Sequence, residues 1–372
     1  MYRPRVWAEI DLEAIRENMR AVRSRLSDET RVMAVVKADA YGHGALQTGR
    51  AALEAGAHAL AVGDSGEAIE LREAGISAPI SVLGALVEKE LDDVIYHRIT
   101  PTIHSIDRVR LLDRRAKSHG VQLPVHVMMD TGMGRLGVLP AFAARLVGEI
   151  AESKNLIMEG LGTHFPLSAL EDQEFTRQQI AQFRRVVDRT REMGIRIPLL
   201  HTANSAALVS VPESHFTMVR PGAALYGLDP GNFKRAGFSV RPALKLKTQV
   251  VFCKGVPKGM AISYHHTYRT TSQTRIATLP VGYNDGYPFS NGNRGRVLIA
   301  GRSAPVIGRV TMDYIMVDVG ALPPVSVGDE VTLIGDAGGD SIRAEELAER
   351  AGLIPYAITC MLGKRVKRVY SG

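Results

Sequence analysis

The sequence predicts an α/β protein, a parallel (β/α)₈ barrel followed by a mainly β domain, and three observations carry that prediction. Between Arg31 and Gly227, eight short apolar runs close on Gly, Asp, His, Ser or Asn, with longer amphipathic stretches between them. That alternation implies parallel strands joined by crossover helices, and eight repeats of ~25 to 35 residues suit a barrel. After about residue 235 the long helical patterns stop, and β-branched alternation punctuated by Gly and Pro takes over. Finally, 372 residues exceed one ordinary compact domain and fall short of three. The expected division is a barrel over 1–235 and a β domain over 236–372. An open, doubly wound sheet stays as an alternative to the barrel, because strand order is invisible in a sequence.

Taken in order, Asp11 is placed to cap a helix whose apolar residues Leu12, Ile15, Met19, Val22 and Leu26 recur in steps of three and four, the mark of one buried helical face. The strand-like runs follow as VMAVVKADAYG, AHALAVG, PISVLGA, ITPTIHS, PVHVMMDTG, LIMEGLGTHF, PLLHTANS and FTMVRPGAALYG. Beyond them come VVFCKGVPKGMAISY, TRIATLPVGYNDGYP, GRVLIAGRSAPVIGRVTMDYIMVDV and VSVGDEVTLIG, with one short helix expected around Ala344 to Ala351. The basic run at 364–368 alternates about Val366 and Val369 as one face of a final strand would.

Composition narrows the function classes. Hydrophobic residues at 45% and charged residues at 23% are globular values. No run approaches the ~18 apolar residues of a membrane helix. The early arginines are followed by Glu9 and Asp11 rather than an apolar stretch, so no secretion signal is read and a cytoplasmic location is expected. Cys253 and Cys360 are too far apart for a disulfide framework or a zinc site. The formal charge of +7 comes without an aromatic stacking platform or a helical basic stripe, so nucleic acid is not an expected partner. His164 and His201 lack i, i+4 spacing and a neighbouring carboxylate, and no metal is expected.

In a barrel, chemistry sits at the C-terminal ends of the strands. The polar residues there are Lys37, Tyr41, Arg135, His164, Asn204, Ser205 and Arg220. A lysine at the end of a buried strand either snorkels to solvent or is desolvated toward the neutral amine that Schiff-base chemistry needs. GMGRLG at 132–137 matches a dinucleotide fingerprint formally, but it falls in the fifth unit and is read as a glycine-rich turn whose Arg135 could fork onto a carboxylate. Ser205 and the Gly222–Ala223 backbone close two successive strands, where barrels often form anion cups.

These blocks together resemble the alanine racemases, pyridoxal-phosphate (PLP) enzymes of fold-type III. The resemblance runs nearly end to end through WAEIDLEAIREN, AVVKADAYGHG, DTGMGRLG, THF, HTANSAA, VRPGAALYG, ISYHHTY, LPVGYNDGYP, GRVTMDYIMVDV and IPYAITCMLGKRVKRVY. It implies that Lys37 carries PLP and serves as one base, with Tyr264 as the opposing base, contributed from the partner of a homodimer. It assigns Tyr41, Ser205, Gly222, Ala223 and Tyr356 to the phosphate, His164 and Asn204 to the ring, and Arg220 to the ring's pyridine nitrogen. Arg135, Tyr283, Met312 and Asp313 are implied substrate contacts. The implied activity interconverts L- and D-alanine, for peptidoglycan or for alanine catabolism. A serine or broader racemase, a non-catalytic PLP-binding protein and a PLP decarboxylase are the alternatives.

The implied chemistry is physically coherent, since racemisation needs a proton removed from one face of the α-carbon and delivered to the other. A lysine and a tyrosine, both with reference pKa values near ~10, must each be shifted or paired to share that task. Three positions depart from the family pattern. Met128 stands where a carbamylated lysine commonly supports the arginine, His265 replaces a glycine after Tyr264, and Phe289 replaces a polar residue. Arg135 therefore needs another acceptor, a bound anion such as chloride, or a looser seat.

Overall fold

The computed structural model describes residues 4–167 and 173–372. All eight predicted runs form parallel strands: Arg31–Val35, Ala59–Val62, Ile80–Val82, Thr102–Ile103, Leu123–Met129, Leu156–Thr163, Leu199–His201 and Met218–Val219. Apart from the third and fourth, consecutive strands pair, and the first pairs with the last, Arg31 with Met218 and Val32 with Val219. The seam between Ile80–Val82 and Thr102–Ile103 is held just ahead of the latter strand. There Ser81 bridges Thr100, Val82 N donates to Thr100 O at 3.0 Å and Thr100 N to Ile80 O at 2.9 Å. That nearly closed ring excludes the open sheet.

The helix Leu12–Arg23 forms as its spacing predicts, with Leu12, Ile15, Met19 and Val22 buried. Asp11 accepts from Ala14 N at 3.0 Å, satisfying an otherwise orphaned donor of the first turn. Asn18 is buried on the same helix. It donates to Leu225 O at 3.0 Å and Arg241 O at 2.8 Å, and accepts from Arg241 N at 2.7 Å. These three bonds pin the end of the barrel and the segment leaving it to one helix.

The second region is a ten-stranded sheet, mostly antiparallel. It contains a strand the sequence reading left out: Val6–Asp11 pairs antiparallel with Leu244–Gln249 and parallel with Lys367–Ser371. Val6, Ala8 and Ile10 point inward while Trp7, Glu9 and Asp11 stay half-exposed, the period-two pattern of a strand with one wet face. Residues 6–11 thus belong to the second sheet, and the helix that follows them leads into the barrel.

The helix Ala344–Ala351 forms as expected, and a second helix, Pro355–Cys360, follows with proline in its first turn, where the missing N–H costs nothing. The basic run is less of a solvated face than its alternation suggests. Arg365 binds Asp313 at 2.7 Å and Asp285 at 3.1 Å, while Arg368 donates to the carbonyls of Gly42, Leu362, Gly363 and Val366. Among the described residues no helix is long and apolar enough to cross a membrane.

Candidate active site

Lys37 opens an unusual turn. Ala38, Asp39, Ala40 and Tyr41 all have left-handed dihedrals, φ 50 to 55°, although none is glycine. Each such residue costs roughly 1–2 kcal/mol, so the turn persists only because its surroundings over-determine it. Glu67 accepts from Ala38 N at 2.5 Å and from Gly63 N at 2.8 Å. Asp39 accepts from Ala45 N at 2.8 Å, and the His43 ring donates to the carbonyls of Ala40 and Tyr41. Gly42 completes the turn at φ 82°. A side chain there would strike Thr359 O at 2.0 Å, so the helix carrying Tyr356 lies directly on the turn, with the Tyr356 ring 6.0 Å from that of Tyr41.

The turn forms one wall of a cavity of about 610 Å³ at the C-terminal mouth of the barrel. Ten expected residues line it: Lys37, Tyr41, Arg135, His164, Asn204, Ser205, Arg220, Gly222, Ala223 and Tyr356. Its described lining holds three cationic side chains, Lys37, Arg135 and Arg220, and no carboxylate. That balance suits an anionic ligand. At one end Ser205 Oγ accepts from Gly222 N at 2.9 Å and Ala224 N at 3.2 Å. The Tyr41 hydroxyl lies 2.5 Å from where a Cβ on residue 222 would sit. Only glycine leaves room for this cradle of hydroxyls and a helix start, whose donors match a phosphate.

Arg220 is buried at the cavity floor. It donates to Thr163 O at 2.7 Å, to His201 O at 2.6 Å and to His201 Nδ1 at 2.6 Å. Burial lowers its pKa to about 10, below the ordinary arginine range yet still cationic at neutral pH. Burial, then the charges of Arg220, Arg135 and Lys37, drive the His164 pKa down to about 3, so this imidazole is neutral. Burial, aided by Arg135, lowers Lys37 as well, against the opposing carboxylate of Glu67. The amine is thus biased toward its proton-accepting form.

The Arg135 backbone is hydrogen-bonded to the Asp130 carboxylate, while its guanidinium is exposed to the cavity and has no hydrogen-bond partner among the described residues. Met128, buried beside it in the lining, offers no charge. The loop itself is fixed: Asp130 Oδ1 accepts from Gly132 N at 2.9 Å and Gly134 N at 3.0 Å. Position 137 must be glycine, since a Cβ there would lie 2.5 Å from Asp130 N. Backbone order, rather than a side-chain acceptor, sets where Arg135 begins.

Tyr264, Tyr283, Met312 and Asp313 lie elsewhere, on the second region. Tyr264 is 67% exposed and Met312 53%, a large outlay of apolar surface left in water. Their loops are joined. Tyr283 N donates to Thr311 O at 3.0 Å, Tyr283 and Phe289 rings meet edge-on at 6.2 Å, and Ser263 Oγ donates to Arg309 O at 2.8 Å. Asp313 is held by Arg365 at 2.7 Å. His265 sits at φ 58°, which explains why glycine suits this position.

The chain matches family models for the N-terminal domain of alanine racemase over residues 10–230 and for its C-terminal domain over 243–370. The chain belongs to the alanine racemase family. An alanine racemase of Halothermothrix orenii is 43% identical over 364 residues, covering 98% of this chain and 96% of that protein. The crystal structure of alanine racemase from D-cycloserine-producing Streptomyces lavendulae superposes with a TM-score of 0.94 at 37% identity, covering 100% of this chain and 98% of that one. A histidine racemase of Leuconostoc mesenteroides subsp. sake also shares the fold, with a TM-score of 0.91 at 27% identity, covering 100% and 99%.

Membership of the alanine racemase family makes the chain a PLP-dependent amino-acid racemase. Because the match continues through the C-terminal domain, the non-catalytic binding protein and the decarboxylase are set aside. The cavity fits PLP by its own chemistry: its lining holds a lysine, an anion cradle at one end, a neutral imidazole and a buried cation. Sequence reasoning missed Glu67, Asp130 and His201 as supports of this site. Each is an ordinary residue in its own run, and only the turns and strand pairings bring it to bear.

Proposed function

We propose that this protein interconverts L- and D-alanine by a two-base mechanism in a cytoplasmic homodimer whose sites are shared between subunits. The observation that carries the reading is the split itself. The cavity gathers Lys37 and the cofactor-binding set, while Tyr264, Tyr283 and Met312 stand exposed on the second region. The division near residue 235 then has a purpose: the barrel holds the cofactor, and the β domain carries the second base to a neighbouring barrel.

Tyr41, Ser205, Gly222, Ala223 and Tyr356 would hold the phosphate, with His164, Asn204 and Arg220 on the ring, and Lys37 would hold the aldehyde carbon until the substrate's own amine displaces it and frees the lysine. When bound, PLP supplies an electron sink for the charge left on the substrate α-carbon. Arg135 takes the substrate carboxylate, which turns the α-carbon toward Lys37. The Lys37 amine, lowered by burial, takes or returns the α-proton on one face. The partner subunit's Tyr264 does so on the other, with Met312, Asp313 and Tyr283 closing the site beside it. Purified protein with PLP is expected to bring either enantiomer of alanine to the same mixture, followed by circular dichroism. No interconversion while the cofactor's absorbance is intact would overturn the proposal.

A second reading is a racemase of serine or of a broader set of amino acids. It is favoured by the uncharged Met128 beside Arg135 and by the histidine racemase sharing this fold. kcat/KM across a panel of amino acids separates the two, and a preference for alanine over every other substrate removes the second.

A further inference from the structure

A parallel barrel is ordinarily filled by layers of branched apolar side chains. One sector of this barrel is instead a polar column beneath Arg220. Arg220 Nη1 meets His201 Nδ1 at 2.6 Å, His201 Nε2 meets His126 Nδ1 at 3.0 Å, and His126 Nε2 meets a Glu159 carboxylate oxygen at 3.1 Å. His201 is fully buried and His126 is 2% exposed, while the Glu159 side chain is 31% exposed.

Donor and acceptor roles along the column are forced. A guanidinium only donates, so His201 Nδ1 accepts. Burial, with Arg220 alongside, keeps His201 neutral, and its one proton therefore sits on Nε2 and is donated to His126 Nδ1. A second proton on His126 would set two N–H groups against each other. His126 thus carries hydrogen only on Nε2, aimed at a carboxylate that only accepts.

The strand Leu156–Thr163 is shaped around these rings. Gly160 pairs in register with His126, and Gly162 with His201. A Cβ on residue 160 would lie 2.7 Å from the His126 ring, and one on residue 162 would lie 2.2 Å from the His201 ring. The register also slips: Val125 pairs with Met158 and His126 with Gly160, leaving Glu159 as the extra residue of a bulge. Bulges re-aim side chains. Arg220 is a buried cation with no carboxylate hydrogen-bonded to it among the described residues, and buried charges ordinarily need a counter-charge. The carbonyls of Thr163, His201 and Thr202 accept from it, and the column adds the His201 Nδ1 acceptor, backed by a remote negative charge.

We propose that Glu159 is a positioning residue that acts on Arg220 through the fixed tautomers of His126 and His201, setting how the guanidinium presents to the ring nitrogen of the cofactor. The proposal rests on Arg220 facing that nitrogen. Without the terminal negative charge, the imidazoles are free to exchange tautomers. An Nδ1–H on His201 would then turn the guanidinium away.

The test uses Glu159→Gln in the PLP-loaded enzyme, with Glu159→Asp as the conservative variant and Arg220→Lys as reference. Nitrogen-15 resonances of labelled histidines, read with and without PLP, should show single Nε2–H tautomers for His126 and His201 in the parent and mixed tautomers in Glu159→Gln. The cofactor's absorbance maximum should move, and kcat should fall about tenfold at nearly constant KM. Glu159→Asp should recover the parent tautomers and most of the rate. A Glu159→Gln enzyme with parental tautomers and absorbance, beside an altered Arg220→Lys, overturns the column's role alone. An Arg220→Lys enzyme with unaltered absorbance overturns the underlying reading of Arg220, and this proposal with it.

Discussion

The cavity at the barrel mouth and the aromatic surface of the β domain carry complementary halves of the expected chemistry, and they are built in opposite ways. The cavity is held by bonds within its own fold. Four left-handed residues are locked by Glu67, Asp39 and His43, and Arg220 is tied to three groups. The other surface leaves Tyr264, Tyr283, Phe289 and Met312 in solvent, on loops held mainly by their backbones. A site that carries strain must be over-determined by its own fold. An exposed apolar surface of this kind suits the shared dimer proposed above.

The largest expected effect breaks the comparison directly. Tyr264→Phe should lower activity by about 10²- to 10⁴-fold while keeping the cofactor's colour, because Tyr264 lies outside the cavity that would bind PLP. Mixing it with Lys37→Ala should restore about a quarter of parental activity, since random pairing makes half the dimers mixed and each then has one intact site. Subunit exchange without recovery would show that the two halves do not meet between chains.

A smaller effect tests the rigidity of the cavity. Gly222→Ala places a methyl 2.5 Å from the Tyr41 hydroxyl, and overpacking of this kind costs about 1–3 kcal/mol. PLP should be released about tenfold or more faster on dialysis, and the thermal midpoint of the apoprotein should fall by a few degrees. Equal retention would mean that the cradle is softer than its geometry implies.

The smallest effect lies on the exposed surface. His265→Gly removes the Cβ strain at φ 58° but frees the unfolded chain, so the net gain should be about 0.5–1 kcal/mol, read as a higher urea midpoint. A loss of stability would show that His265 makes contacts outweighing its backbone strain.

Much of this was legible from periodicity. All eight barrel runs and the helices at 12–23 and 344–351 follow from patterns that short-range physics imposes; nine of the barrel-mouth residues followed from strand ends, and Tyr356 came only from the family resemblance. The strand Val6–Asp11 was legible in principle, through the alternation of Val6, Ala8 and Ile10, but it was overshadowed by the stronger helical signal behind it. The helix bearing Tyr356 is too short for a periodic signature. The left-handed turn was not legible, because Ala38, Asp39 and Ala40 have no local reason to leave the right-handed region. Glu67, Asp39, His43 and the helix packed on Gly42 together hold them there.

The glycines of LIMEGLGTHF show the same division most sharply. Chain-local physics, hydrophobic period and turn chemistry, was enough to make that segment a strand ending at the catalytic mouth. That Gly160 and Gly162 make room for His126 and His201, and that Glu159 is bulged to meet them, depends on which strands become neighbours and in what register. Those are long-range pairings. Their energy comes from groups 30 to 75 residues apart closing one barrel, and no window of sequence contains both partners.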